Sequence, residues 1–412
     1  MSILSKRRAI IVFLAFAFAY FFSALIRAIT ATLSPSLTQE FALSASNLGL
    51  LAGGYFLGFA ATQLPLGAWL DRYGPKNVIL CFLAVAVLGC LAFALATSFV
   101  GLLAARILCG VGVSACLMAP LTGYRRWFPA TTQMRANSWM LMTGSLGMVA
   151  STLPVQWLMP LVGWRLLFWG LAALVLVAMA LIAWQVPQWT VAPAPGMVAV
   201  RPSTASYAQI WQHPYFRRMA PLGFFCYGGL VAVQTLWAAP WMIKVAGYSP
   251  LQAASGLFWI NVAMLCTFWA WGMANPWLAR RGLHADRLIA RGLPASFVLL
   301  AVIIIVGGDV SSGAGALWAL YCVSCTFVAL AQPAVGLAFA PYLAGRALSA
   351  YNLVMFAGAF TVQWGIGLAV DGFKMLGMTE IQSFQSAMSG FLLCSIAAYG
   401  FFLTAKSHNQ PI

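Results

Sequence analysis

Two guanidinium groups lie where the chain is otherwise almost free of charge. Arg27 and Arg106 fall inside long apolar segments, whereas the six carboxylates, Glu40, Asp71, Asp286, Asp309, Asp371 and Glu380, fall in expected loops or at segment ends. If those segments lie in lipid, a charge at a segment's centre costs at least about 2.5 to 3.5 kcal/mol, so it faces a cavity or a partner and marks function. With no acid at the same depth, a cationic ligand would find no countercharge. A lone arginine instead attracts a soluble anion, a carboxylate or phosphate that its planar fork can grip. Tyr20, Ser23, Arg27 and Thr30 recur at helical spacing, one face of a helix, and this polar stripe is expected to line a pore. Arg27 has a plainer alternative, held by backbone carbonyls or snorkelling to headgroups. For Arg106 a structural role weighs as much as ligand contact.

Buried amides are costly unless hydrogen-bonded, so Gln234, Asn261, Gln332, Asn352 and Gln363 are expected to point inward with Tyr227, Trp237 and Trp241. Each amide could simply bridge two helices; together they suggest a cavity wall that bonds to and stacks on a ligand. Material for covalent chemistry is scarce. The three histidines, His213, His284 and His408, fall in loops or the tail, and none of the nine cysteines has zinc-ligand spacing with a histidine. Cys322 and Cys325 are expected to share one face of a helix rather than form a redox pair. No metal or other cofactor is expected.

The elements that position these groups follow from composition. The 412 residues are 63% hydrophobic and 7% charged, too few ions to cover a water-soluble surface. At about 20 residues per crossing, twelve apolar segments can be cut: about 9 to 33, 45 to 70, 76 to 97, 99 to 122, 136 to 160 and 163 to 186, then 216 to 244, 250 to 274, 286 to 306, 314 to 340, 346 to 370 and 381 to 405. They are too long and too continuously apolar for barrel strands. The first follows Lys6, Arg7 and Arg8 but is too long for a signal peptide and is expected to stay attached. Trp164, Trp169, Trp184 and Trp189 read as interfacial belt residues.

Of the 22 Lys and Arg, only Arg165, Lys244 and Lys374 fall on one side when the chain crosses an even number of times; apart from Arg27 and Arg106, the rest fall on the other. Positively charged loops stay in the cytoplasm, so both termini are expected there. The net charge of +16 then reflects topology and anionic lipid, and nucleic acid is not an expected partner. The proline-rich stretch 187 to 215 divides the segments six and six and reads as a linker between an amino-terminal bundle, 1–186, and a carboxy-terminal bundle, 216–412. Phe128-Pro129 before Arg135-Ala136-Asn137-Ser138 is echoed by Phe339-Ala340-Pro341 before Arg346-Ala347-Leu348-Ser349, in agreement with a duplicated six-helix unit.

The most specific string is Gly67-Ala68-Trp69-Leu70-Asp71-Arg72-Tyr73-Gly74-Pro75-Lys76, between the second and third segments. Through Gly67, Asp71, Arg72, Gly74 and Lys76 it resembles the signature of the major facilitator superfamily of transporters. Arg106-Ile107-Leu108-Cys109-Gly110-Val111-Gly112 is similar to a second motif of that superfamily. The equivalent loop of the second half, Ala279-Arg280-Arg281-Gly282, keeps a basic and glycine core without the aspartate, and the fifth segment lacks the string associated with drug-proton antiporters. The resemblance implies an all-α membrane protein of two six-helix bundles around a central cavity, with Asp71 a latch between them. The expected activity is translocation of a small organic anion across a bacterial inner membrane by a monomer, with protons a candidate coupling ion. Export of an amphipathic compound and a non-transporting membrane receptor or enzyme are the alternatives.

Overall fold

In lipid the backbone must satisfy itself, and a continuously apolar chain does so as helix. The computed structural model describes residues 4–188, 207–308 and 313–405, and helices without strands make up its regular structure there. Most of the expected linker, with Trp189 and Arg201, lies outside the described residues, as do Asp309, Lys406 and His408. The chain runs through α1 (Lys6–Phe41), α2 (Ala45–Ala61), α3 (Gln63–Leu95), α4 (Phe99–Val113), α5 (Ala115–Trp127), α6 (Ala130–Ala150) and α7 (Leu153–Gln185). Then follow α8 (Tyr207–Gln212), α9 (Pro214–Pro221), α10 (Gly228–Ala232), α11 (Ala238–Lys244), α12 (Pro250–Arg280), α13 (Ala285–Gly292), α14 (Pro294–Val306), α15 (Ala314–Cys325), α16 (Ala331–Leu337), α17 (Pro341–Met375) and α18 (Glu380–Thr404).

Among the described residues ten helical stretches are long and apolar enough to cross a membrane, and Ala45–Ala61 is a shorter apolar helix. Two of the ten contain a break. Gly74 (φ 78°, ψ 161°) and Gly163 (φ 69°, ψ 165°) leave the helical conformation inside α3 and α7, a backbone that a residue with a Cβ rarely adopts. Divided there, the chain gives straight pieces over 63–73, 75–95, 153–162 and 164–185, whose limits fall near the expected segment ends. Gly74 thus forms the turn within the Asp71 motif. Gly67 is not a close-packing residue, because a Cβ there would meet nothing within 4 Å.

Small residues bring the helices together, as they must where lipid offers no hydrophobic drive for association. α4 lies on α2 and α3: a Cβ at Gly110 would overlap the Tyr55 carbonyl, and one at Gly112 the backbone of Ala86. α6 meets α1 where Gly147 faces the Phe21 carbonyl. Across the sequence midpoint, α2 packs along α17, with Gly49 against the Gln363 carbonyl, Gly53 against Phe360 and Gly367 against the Ala45 carbonyl.

Ion pairs gather at helix ends. Glu40 pairs with Arg165 at 2.6 Å, Arg218 with Asp286 at 2.5 Å, and Lys374 with Glu380 at 2.9 Å. One belt expectation is corrected by this arrangement: Trp164 is buried, because its indole N–H donates to Glu40 Oε2 at 2.7 Å and its ring packs on Phe93. Trp169 and Trp184 are exposed.

Candidate functional site

The polar stripe of α1 meets its surroundings unevenly. Tyr20, Ser23 and Thr30 are buried and Arg27 is half-buried. Ser23 Oγ, Thr30 Oγ1 and Arg27 Nε have no hydrogen-bond partner. Buried polar groups are nearly always satisfied, so this row of open donors and acceptors suits an occupant that brings its own polar atoms. Tyr20, Tyr55 and Tyr227 surround the Arg27 guanidinium, with the Tyr20 hydroxyl close enough to bond to it. The Tyr20 ring is held against Gly144 of α6. Tyr227, also half-buried, comes from the second half of the chain, so the Arg27 site lies between the two halves.

Local helix geometry brings Tyr227 there. The stretch from α9 to α11 contains two π-helical segments, Leu222–Tyr227 and Val233–Trp237. Each widens the turn and shifts the register, a feature frequent at functional sites. Tyr227 and Trp237 end those segments, so Tyr227, Gln234, Trp237 and Trp241 do not follow a plain helical register. Trp237 sends its indole N–H to the Gln363 carbonyl at 3.0 Å, and Trp241 packs edge-on against Trp318 and Phe384.

Arg106 is placed differently from Arg27. It is wholly buried, its Nη1 donates to the Ile26 carbonyl at 2.9 Å and its Nη2 to the Arg27 carbonyl at 3.5 Å, and its charge lies 5.2 Å from the centre of the Tyr55 ring. These carbonyls accept with their second lone pairs. The guanidinium therefore grips the backbone that carries Arg27 through both Nη groups, while its Nε has no partner. Among the described residues neither arginine has a carboxylate within ion-pair distance.

The amides largely satisfy one another. Gln234 Nε2 donates to Asn261 Oδ1 at 2.9 Å, and Asn261 Nδ2 to the Leu257 carbonyl at 2.9 Å. Gln332 Nε2 donates to Asn352 Oδ1 at 2.6 Å, and Asn352 Nδ2 reaches Gln63 Oε1 at 3.5 Å. Gln363 Nε2 donates to Thr235 Oγ1 at 2.9 Å, leaving its Oε1 open. Helix bridging accounts for the first two sets, while Gln363 Oε1 is a buried acceptor without a partner. Two residues of these networks, Tyr55 and Gln63, were not anticipated. Tyr55 had a signal: past the first turn it carries the one polar side-chain atom of α2.

At the other end of α2 and α3, Asp71 is exposed, and the cations that act on it are Arg346 of α17 and Arg125 of α5. Arg72 lies over the Tyr73 ring at 5.2 Å, while Lys76 is buried. Gly282 (φ 72°) repeats the left-handed turn of Gly74 in the corresponding loop after α12. A separate apolar groove of about 520 Å³, lined by Phe13, Phe18, Phe21, Thr143, Leu181 and Gln185, lies on the opposite face of α1 from Arg27.

A family model for the Major Facilitator Superfamily matches residues 16–362. The chain belongs to this superfamily. The bundle is similar to a D-xylose-proton symporter, TM-score 0.78 at 14% identity over 98% of this chain and all of that one. It is equally similar to an inward-facing bacterial homologue of the human lysosomal transporter Spinster, TM-score 0.77 at 16% identity over 98% of both chains. In sequence, a 4-hydroxybenzoate transporter of Pseudomonas aeruginosa, PcaK, is 31% identical over 149 residues, 36% of this chain and 33% of the relative. A hexuronate transporter of Bacillus subtilis is 26% identical over 52% of each chain, and a niacin transporter of Acinetobacter baylyi, NiaP, is 22% identical over 64% of this chain and 65% of its own length. The matched stretch thus spans from a third to just under two thirds of these curated relatives. These matches make the chain a membrane-embedded relative of small-molecule transporters.

Proposed function

We propose that the protein is a secondary active transporter that takes up a small organic carboxylate by alternating access. The observation that carries this reading is the half-buried Arg27, ringed by three tyrosines and beside open polar atoms, with no carboxylate paired to it among the described residues. A carboxylate offers the two oxygens that a guanidinium fork matches, and an aromatic or sugar body would find ring faces and hydroxyls around it. That several curated relatives are named for 4-hydroxybenzoate, niacin and hexuronate supports the same class. Ligand contact falls to Arg27, Tyr20, Ser23, Thr30, Tyr227 and Gln363, with Arg106 a positioning residue. In this reading twelve crossings form two six-helix bundles, residues 1–186 and 216–412, joined by a cytoplasmic linker over 187–215. The chain acts as a monomer in an inner membrane with both termini inside, and the reaction makes no covalent bond.

Proteoliposomes holding the purified protein test it directly. Imposing an inward-directed pH gradient should drive accumulation of at least one radiolabelled compound from a panel of aromatic and sugar acids, and Arg27→Ala should remove it. Accumulation of amphipathic cations in place of acids, or unchanged kinetics in Arg27→Ala, would overturn the reading.

A further inference from the structure

On the outer surface of the first half of the chain, α6 and α7 flank α1 without closing over it. Between them runs the apolar groove of about 520 Å³. Its floor is α1, where Ile11, Leu14, Phe18 and Phe21 recur at offsets of 3 and 4, one face of a helix. Thr143 of α6 and Leu181 and Gln185 of α7 supply the walls. Ile11 and Phe21 are ten positions apart, about 15 Å of helix and half of a hydrocarbon core of roughly 30 Å. The groove is one leaflet deep.

The same face of α1 runs on to a cation. One turn before Ile11 stands Arg7, flanked by Lys6 and Arg8, and all three are exposed. The Leu4 N–H donates to the Trp127 carbonyl at 3.0 Å, which fixes the start of α1 against the end of α5. α6 repeats the arrangement: Arg135, Trp139 and Thr143 are spaced by four, so the wall that Thr143 gives the groove leads to the exposed Arg135. Trp139 lies between them, exposed and with its ring edge-on to Phe13 at 6.1 Å, as suits an indole at the boundary of hydrocarbon and headgroups. The carboxylate that these three helices carry is Glu40, at the far end of α1 and paired with Arg165. The cations at the mouth therefore meet no acid on the elements that form it.

We propose that this groove binds one anionic glycerophospholipid, with an acyl chain along α1 and the phosphate between Arg7 and Arg135. Apolar area alone accepts any lipid. The selection comes from two cations at the mouth of a slot between helices, each of which favours an anionic headgroup. A partner helix is a poorer fit, because it would cross both leaflets while the groove ends at Phe21, halfway. The site stands apart from the Arg27 stripe on the opposite face of α1 and is independent of what the protein carries. Filled, it ties α6 and α7 to the helix that bears that stripe.

Native mass spectrometry of the full-length protein in mild detergent tests this with two probes that share their acyl chains, phosphatidylglycerol and phosphatidylcholine. At equal concentrations wild type should retain one phosphatidylglycerol at least about fivefold better, the weight of a single cation beside an anionic headgroup. Arg7→Gln with Arg135→Gln should erase that preference. Arg287→Gln with Arg291→Gln, at two exposed positions of α13, removes the same charge elsewhere and should leave it intact. Ala17→Phe, which fills the groove from its floor, should lower phosphatidylglycerol retention by a similar factor. Photolysis of phosphatidylglycerol carrying a mid-chain diazirine needs no variant and should label 11–21 and 181–185 above the other exposed apolar helices. Equal retention of the two lipids, a preference lost equally in the α13 pair, or labels spread evenly over the bundle would overturn the site and leave annular lipid only. A dimer mass that grows as lipid is stripped would also overturn it, giving the groove to a second copy.

Discussion

The two arginines of the membrane interior show how one residue type takes two roles by what surrounds it. Arg106 spends both Nη groups on the carbonyls of Ile26 and Arg27, so its removal should act on the frame first. Truncation leaves buried carbonyl lone pairs open and a void, a loss of about 1 to 3 kcal/mol. Arg106→Ala should therefore lower the melting temperature in detergent, while ligand-induced stabilisation is weakened but kept. Arg27→Ala should do the reverse, with melting nearly unchanged and ligand-induced stabilisation abolished in a thermal-shift assay. His213 gives a pH signature outside the membrane. It is buried against Phe339 with Nδ1 unpartnered, and burial holds its pKa below the usual 6.5. The unfolded chain then takes up the proton first, so stability is constant above about pH 6.5 and falls as pH drops below that value. His213→Gln should flatten that acid limb of a melting-temperature profile.

At the scale of the element, apolar runs located helices well because lipid leaves the backbone no other partner, and the limits failed only where geometry departs from a plain helix. The π segments of 222–227 and 233–237 are invisible to a 3.6-residue period, which is why Trp237 and Trp241 turn into packing while Tyr227 reaches Arg27. Amide pairing was likewise hidden, since Gln332, Asn352 and Gln63 meet across three helices far apart in sequence. The glycines of 106–112 could be placed by motif, but their reason is contact: Gly110 touches the Tyr55 backbone. Gly110→Val should push α4 off α2, shifting both Arg106 and Tyr55. Expression should fall, and the protein that does reach the membrane should bind ligand at least about tenfold more weakly by titration, the equivalent of about 1.4 kcal/mol.

For the whole molecule, charge count and the Asp71 motif pointed to a paired-bundle transporter, whereas the hold of the Asp371 carboxylate on the Ala45 and Ser46 N–H groups at the opposite end was out of reach, because these residues meet only once α2 and α17 lie side by side. Alternating access makes a kinetic prediction from that pairing. Asp71 is exposed and remote from the Arg27 stripe, so Asp71→Asn leaves every ligand contact intact and changes only how long the basic end stays closed. Binding measured at equilibrium should stay within about twofold of wild type, a difference under 0.5 kcal/mol. Turnover in proteoliposomes should fall at least about tenfold, because a conformational step limits many such cycles. Charge reversal at Arg346, as Arg346→Glu, should slow the cycle in the same way, and pairing it with Asp71→Arg should restore part of the rate if the two groups act across one gate. A double variant no faster than either single one would mean that Asp71 works through Arg125 or the end of α2 instead, and the closing contact at the basic end would have to be sought there.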